Sequence, residues 1–346
     1  MMESIMARKP TLTEVARRAG VGIATVDRVL NARAFVRPET AERVFEAARV
    51  VGYGAAPRLS GRKPVTQVRL GFLLQAPEQP FYHAVEAALR QAAAGAANAR
   101  VLPEITYLPS QRSTDIVAGL KAMARKVQAI AMVATDHPSV TATVAELAER
   151  GIPVFTLLSD AAPGARRGYI GLDNLKAGRT AAWLLARCIA QPGKVAIFVG
   201  SHRFHGHELR EIGARAYLRE VAPTLAVVDT QISLEAPALA HEAVLDLLRR
   251  HADLRGIYVA GGGTEGAIAA LREEVPPGAV ALVCNELNEV TRAGLADGFV
   301  SAVISTPVMA LAREAVTQML VALGPAGSPS SGQTRLPFEI YVSENI

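Results

Sequence analysis

The sequence predicts a chain in two parts: a small all-α unit at the N-terminus, followed by a large α/β unit built on parallel sheets. Three observations carry this. Within residues 11–52, apolar residues recur at helical spacing between capping and turn residues. Beyond residue 67, short apolar runs alternate with amphipathic stretches. Charge is also divided unevenly: residues 1–63 hold twelve Lys and Arg against six Asp and Glu, a surplus larger than the net +5 of the whole 346-residue chain. Positive charge confined to a small helical unit points to a polyanionic partner, nucleic acid first.

Half of the residues are apolar, enough for a large core and too many for a low-complexity chain. No apolar run reaches membrane-spanning length, and MMESIMARKP lacks the apolar stretch of a signal peptide, so a soluble cytoplasmic protein is expected. The two cysteines, Cys188 and Cys284, lie far apart without metal-ligand spacing and suit buried thiols of a reducing compartment.

In the first unit, Thr11 followed by Glu14 has capping-box spacing, which predicts a helix beginning near Leu12. Val15, Ala16 and Ala19 form its inner stripe and Gly20 ends it. Gly22 can cap a second helix over Ile23–Leu30, with Val26 and Val29 inward and the pairs Ile23/Asp27 and Ala24/Arg28 outward. A third helix opens at Pro38 and runs to about Val51, with Gly52 as its stop. Three short helices with a tight turn between the first two form a helix-turn-helix, whose second helix enters the DNA major groove.

TLTEVARRAGV, TVDRVLN and VRPETAERVFEAARVVGY together resemble, in order and spacing, the DNA-binding headpiece of the lac-repressor (LacI/GalR) family of transcription factors. The resemblance implies that Ile23, Ala24 and Arg28 read bases while Thr25 and Asn31 hold phosphates, with Thr11 and Gly22 at the DNA-facing helix starts. Arg28 can reach guanine O6 and N7 through two hydrogen bonds, whereas Ile23 and Ala24 offer apolar contact to a thymine methyl. The chain departs from the family at Gly22 and Asp27, where the family commonly has Ser. Three roles are open to Asp27: it can accept from cytosine N4, orient the Arg28 guanidinium, or face solvent and reduce affinity. Restraint of a base-reading arginine is the preferred one.

Residues 53–67, YGAAPRLSGRKPVTQ, are rich in Gly, Pro and Ser and mark a boundary, with a headpiece over 1–56 and a linker over 57–66. In the resembled family this stretch is a hinge helix that wedges a leucine into the minor groove. Leu59 would be that wedge, with Arg58 and Arg62 on the flanking phosphates. The segment is about three residues short, which leaves a plain flexible linker as the alternative.

The large unit spans 67–346. VRLGFLLQ (68–75), VQAIAMVA (127–134), IPVFTLL (152–158), KVAIFVG (194–200), LRGIYVA (254–260) and AVALVCN (279–285) read as strands buried on both faces of a parallel sheet. Amphipathic stretches such as VTATVAELAERG and LAHEAVLDLLRRH supply the crossover helices. Here the chain is similar to a periplasmic-binding-protein-like core of two lobes with a ligand cleft between them. The implied division is 67–172 plus 302–324 for the first lobe, and 173–301 plus 325–346 for the second.

Open α/β sheets bind ligands beyond their strand C-termini. By that rule Gln75, Phe81, Tyr82, Asp136 and Asp173 are candidate effector contacts. The resemblance adds Arg210, which matches the family's sugar-clamping arginine by its spacing before Gly213. It also adds Glu286, where the family tends to have Asp, and Thr306, where it tends to have Gln. An amide, aromatics, carboxylates and an arginine suit a polyhydroxylated small molecule.

Two patterns point elsewhere. Gly261-x-Gly263-x-x-Gly266 after a strand, with Glu286 twenty residues on, matches the dinucleotide fingerprint formally and supports an NAD-type oxidoreductase with a basic N-terminal adaptor as the alternative function. HRFHGH places His202, His205 and His207 within six residues, which raises a metal site, but without a helical His-x-x-x-His frame a cleft or surface loop is preferred. A solute-binding transport protein is a third reading. The expectation is a DNA-binding regulator of repressor type, without catalytic residues, metal or cofactor, acting as a homodimer on a palindromic operator under a carbohydrate or polyol effector.

Overall fold

The computed structural model describes residues 10–30, 36–53, 66–97, 99–324 and 332–346. The chain divides into two compact units at Thr66–Gln67. Asn31, Arg58, Leu59 and Arg62, and with them the expected hinge, lie outside the described residues.

In the small unit, α1 spans Leu12–Ala19, α2 Ile23–Leu30 and α3 Pro38–Val50. The capping box is present: Glu14 N donates to Thr11 Oγ1 at 3.4 Å and Thr11 N donates to Glu14 Oε2 at 2.9 Å. Gly20 closes α1 with φ +65°, a left-handed cap that glycine adopts without a Cβ clash. Val15, Ala16, Ala19, Val26, Val29, Leu30, Val44, Ala47 and Ala48 form one core. Small residues on all three helices let so short a bundle close around β-branched side chains.

The large unit carries two sheets. In the first lobe β1 is Thr66–Leu74, β2 Ala99–Tyr107, β3 Ala129–Met132, β4 Val154–Leu157 and β5 Gly168–Leu172, interleaved with α4 (Pro80–Ala94), α5 (Ser113–Met123) and α6 (Pro138–Glu149). In the second lobe β6 is Gly193–Val199, β7 Leu225–Val227, β8 Gln231–Ile232, β9 Leu254–Val259, β10 Ala281–Asn285 and β11 Ala302–Ser305. Its helices are α7 (Asn174–Cys188), α8 (His205–Val221), α9 (Pro237–Arg250), α10 (Thr264–Glu274) and α11 (Glu289–Ala296). The chain then forms α12 (Val308–Ala322), β12 (Gln333–Leu336) and β13 (Glu339–Tyr341).

The first sheet runs β12-β5-β4-β3-β1-β2 and the second β13-β11-β10-β9-β6-β7, with β8 also on β6. Each is clad on both faces. Leu70, Phe72 and Leu74 point toward α4 and α12, while Leu73, Ile130 and Met132 point toward α5 and α6, the period-two alternation of a strand.

The lobe boundaries differ from the expected ones. Residues 302–305 were expected in the first lobe, yet β11 pairs with β10 in the second sheet. Its run AVIS is fully buried, so the chain crosses back only after it, at Thr306–Pro307. Residues 325–346 were expected in the second lobe, but β12 pairs in parallel with β5 of the first sheet, and only β13 joins the second, antiparallel to β11. Asp160, buried against Arg166, accepts from Gln333 Nε2 at 3.1 Å, which fastens β12 there. Strand β2 escapes the apolar-run rule because it is a half-exposed edge strand interrupted by Pro103. Cys188 is exposed, not buried; Cys284 is buried.

Helices α7 and α8 cross closely, glycine against backbone. A Cβ on Gly178 would lie 1.9 Å from the Arg210 carbonyl oxygen, and one on Gly213 would lie 2.2 Å from that of Leu175. The two glycines are therefore the contact points of one helix pair, and that contact sets the height of Arg210 above the second sheet.

Candidate DNA-reading helix and ligand cleft

On α2, Val26, Val29 and Leu30 are buried, while Ile23, Ala24 and Arg28 are exposed and share one side. Gly22 O starts the helix by accepting from Thr25 N at 2.9 Å and Val26 N at 3.1 Å. Ile23 stays half exposed, which costs apolar burial and marks a face shaped for something other than the core. Thr25 and Asp27 are half-buried at the edges of that face. Thr11 is exposed at the start of α1 with its side chain in the capping box.

In the large unit a cleft of about 770 Å³, its open mouth included, lies between the two lobes. Phe81 and Tyr82 at the start of α4 form an aromatic wall, edge to face with ring centroids 5.3 Å apart. Opposite stand Arg210, Glu235, Glu265, Asn285, Glu286 and Asn288 of the second lobe. Arg210 Nε donates to Asn174 Oδ1 at 2.8 Å and its Nη1 to the Ala260 carbonyl at 2.8 Å, while Nη2 lies 4.0 Å from Glu286 Oε1. Asn174 in turn donates to the Leu158 carbonyl of the first lobe at 3.1 Å. The lobes also meet where Gly206 N donates to Ser159 Oγ at 3.0 Å and Asp136 N to the Arg203 carbonyl at 3.1 Å.

Of the six non-glycine residues in the left-handed region among the described residues, four lie at strand ends around this cleft: Ala76 after β1, Leu158 after β4, Glu235 after β8 and Glu286 after β10. Such conformations cost on the order of 1–3 kcal/mol each and persist where surrounding contacts fix them. Glu286, at φ +71°, is fixed by Thr306, whose backbone N–H and Oγ1 each donate to it at 2.8 Å. Burial pushes the Glu286 carboxyl above its ordinary range, against the pull of Arg210. Glu235 is likewise pushed up by burial, against donation from the Gly262 backbone and the Gln79 side chain.

Of the expected effector residues, Phe81, Tyr82, Arg210 and Glu286 meet in this cleft. Thr306 stands behind Glu286 and positions it. The other three do not line it. Gln75 is buried and spends its amide on the Val133 carbonyl, 2.9 Å away, because a strand-end amide satisfies the neighbouring strand first. Asp136 accepts from Ala162 N at 3.0 Å. Asp173 caps α7, accepting from Lys176 N at 3.1 Å, and pairs with Arg335 at 2.8 Å. The sequence reading missed Glu235, Gln79, Asn285 and Asn288. Glu235 follows a two-residue strand too short to leave a pattern, although Pro237 two residues on signals the helix start.

With this geometry in view, two matches to known proteins take their meaning. The model of bacterial regulatory proteins of the lacI family matches residues 11–55, and that of the periplasmic binding protein domain matches residues 70–326. The chain therefore joins a lacI-family domain to a periplasmic binding protein domain that makes up most of its length. The HTH-type transcriptional regulator GalS of Salmonella typhimurium is 25% identical over 268 residues, covering 76% of this chain and 75% of that one. The regulator GntR of Pseudomonas aeruginosa is 26% identical over 325 residues, 90% and 89% of the two chains. The sucrose operon repressor of Pediococcus pentosaceus is 29% identical over 252 residues, 70% and 71%. Among solved structures, an ABC-transporter solute binding protein from Burkholderia graminis in complex with D-arabinose matches with a TM-score of 0.75 at 23% identity, over 82% of this chain and 98% of that one. GanP, a glucose-galactose binding protein from Geobacillus stearothermophilus, gives 0.72 at 21%, over 82% and 99%. These structural matches establish the shared fold of the large unit.

The glycine pattern of this chain answers to its own packing. A Cβ on Gly261 would lie 2.8 Å from Gly200 N, one on Gly263, itself at φ +98°, 3.0 Å from Ala240 Cβ, and one on Gly266 1.8 Å from the Pro237 carbonyl oxygen. Close strand, loop and helix approach thus accounts for the fingerprint without a dinucleotide. The three histidines also part company. His202 bonds Glu211 at 3.0 Å, His205 lies 3.3 Å from Glu208, and His207 is buried with Nε2 3.7 Å from Glu235. No group of three or more His, Cys, Asp or Glu side chains among the described residues is arranged to hold a metal ion.

Burial, reinforced by Arg210, holds the His207 imidazole down to about 3 from its ordinary 6.5. The unfolded chain then takes up a proton below 6.5 that the folded chain refuses, so this contribution is present above pH 6.5 and lost as pH falls toward 3. Glu235 and Glu286, raised by burial, act in the opposite sense, losing their contribution as pH rises above 4.5. His207→Gln is expected to reduce the loss of stability between pH 7 and pH 5 by about 2 kcal/mol. Urea denaturation of both proteins at the two pH values measures it, and equal losses would contradict a neutral buried imidazole.

Proposed function

We propose that this chain is a one-component, non-enzymatic transcriptional repressor that reads DNA with α2 and is controlled by a sugar-like or polyol effector in the interlobe cleft. The observation that carries this reading is the exposed Ile23/Ala24/Arg28 face on a cationic helix-turn-helix, in the same chain as an interlobe cleft lined by charged, amide and aromatic side chains. One headpiece reads too few base pairs for selectivity, so a homodimer on a palindromic operator is the working form. The site of action is the bacterial cytoplasm, where that DNA is found. A related repressor named for a sucrose operon, and folds solved with a bound pentose or hexose, support a carbohydrate effector. By linkage, the operator changes effector affinity by the same factor as the effector changes operator affinity.

A mobility shift of the full chain on DNA upstream of its own gene, with and without a carbohydrate panel, tests the whole proposal. Sequence-independent binding unaffected by every carbohydrate would count against it. Within that assay, Arg28→Ala is expected to cost about 1–3 kcal/mol on the specific site and to relax preference at one base position. Equal weakening on all sequences would reduce Arg28 to a phosphate contact. Asp27→Ser is expected to raise non-specific affinity and narrow the specific ratio, as a carboxylate that trades affinity for selectivity requires.

A further inference from the structure

We propose that the effector of this cleft carries a cationic amine alongside its hydroxyl groups. The inference rests on the cleft being the effector site, and it narrows the ligand class. The lining residues hold three carboxylates, Glu235, Glu265 and Glu286, against one permanent cation, Arg210. Burial leaves Glu235 at 9% side-chain exposure, Glu286 at 16% and Arg210 at 7%, so solvent screens none of them well.

The single arginine does not neutralise them. Its Nε and Nη1 are committed to Asn174 and Ala260, and Nη2 approaches Glu286 only to 4.0 Å. Glu235 is held by neutral donors: the Gly262 N–H, the Gln79 side chain, and Gln111 Nε2 at 3.5 Å. These satisfy oxygen lone pairs without cancelling charge. Its ion-pair neighbour among the described residues, His207, is held neutral by its burial. An uncompensated buried carboxylate costs several kcal/mol, which hydroxyl groups relieve weakly, an ammonium strongly, and an anion makes worse.

Two further observations point the same way. The backbone holds both Glu235 and Glu286 in the left-handed region, φ +60° and +71°, so the carboxylates are presented at a conformational cost. The buried Nδ1 of His207 has no hydrogen-bond partner among the described residues. With Nε2 toward Glu235 the tautomer that suits the carboxylate leaves Nδ1 an unsatisfied acceptor, so the imidazole brings no positive charge to Glu235. Phe81 and Tyr82 add an aromatic wall on which an ammonium is also favoured.

Calorimetry on the full chain with matched ligands decides the matter: 2-amino-2-deoxyhexoses, their N-acetyl forms, the parent hexoses, the corresponding hexonates, and putrescine as a plain diamine. An amino sugar is expected to bind at least tenfold tighter than both its parent hexose and its N-acetyl form, with the hexonate weakest. Glu235→Gln and Glu286→Gln, close in shape to the originals, are each expected to shrink that preference severalfold, with thermal unfolding confirming that the variants fold. A neutral hexose or a hexonate binding as tightly as the amine overturns the amine proposal and leaves the carbohydrate reading standing. Putrescine binding while no carbohydrate does keeps the cation and overturns the polyol reading, and binding of no member of the panel overturns both.

Discussion

Replacing Arg210 by Ala is expected to destabilise the large unit by about 3–5 kcal/mol and to abolish binding of the effector. The guanidinium donates to Asn174 Oδ1, reaches the Ala260 carbonyl, and is the cation paired with Glu286 among the described residues. Its removal strands two acceptors and leaves a buried carboxylate with less compensation. Urea denaturation of the full chain reads the stability term, and calorimetry with the tightest ligand reads the binding term. Arg210→Lys is expected to recover little, because a point charge cannot reach Asn174, Ala260 and a ligand together as the planar fork does. An unfolding free energy within about 1 kcal/mol of the parent would show that the network is ornamental, and an unchanged ligand affinity would show that the contact with the ligand is incidental.

Gly178→Ala should be nearly as damaging, through packing and with no loss of a polar group. The added methyl would sit 1.9 Å from the Arg210 carbonyl oxygen, a backbone atom that cannot rotate away, so α7 and α8 must separate. Overpacking of this kind costs about 1–3 kcal/mol, and more where both sides are backbone. The same separation carries Arg210 away from Asn174, so ligand affinity is expected to fall with stability. Gly164→Ala, where a Cβ meets nothing within 4 Å, serves as the control and is expected to be nearly silent. Equal thermal midpoints for the two substitutions would refute the close crossing of these helices.

Much of the architecture was legible because it is written in local terms. The capping box, the Gly20 and Gly52 stops and the inward Val26/Val29 pair announce the three headpiece helices within a few residues each. The six apolar runs mark central strands, where burial on both faces leaves no room for polar alternation. What stayed hidden depends on partners distant in sequence. QTRL and ARVLPEITY look nothing like central strands because each lies at an edge. In the cleft, Arg210 and Glu286 were legible by resemblance, and Phe81 and Tyr82 by position after a strand. Gln75 and Asp173 misled because amides and carboxylates at element ends are consumed by the backbone around them. Glu235 went unseen because its importance comes from a left-handed turn and from Gln79, Gln111 and Gly262, each brought to it by the fold.

The late pairing of β12 and β13 bears on how the chain is made. One becomes the edge strand of the first sheet and the other the edge of the second, and both leave the ribosome after every other described strand. Until they arrive, β5 and β11 present unpaired backbone on strands that are wholly buried in the finished fold, the kind of edge that recruits other chains. A translation product halted before residue 332 therefore carries two adhesive borders at once, and its expected fate is aggregation or proteolysis, so that no half-active regulator persists in the cell.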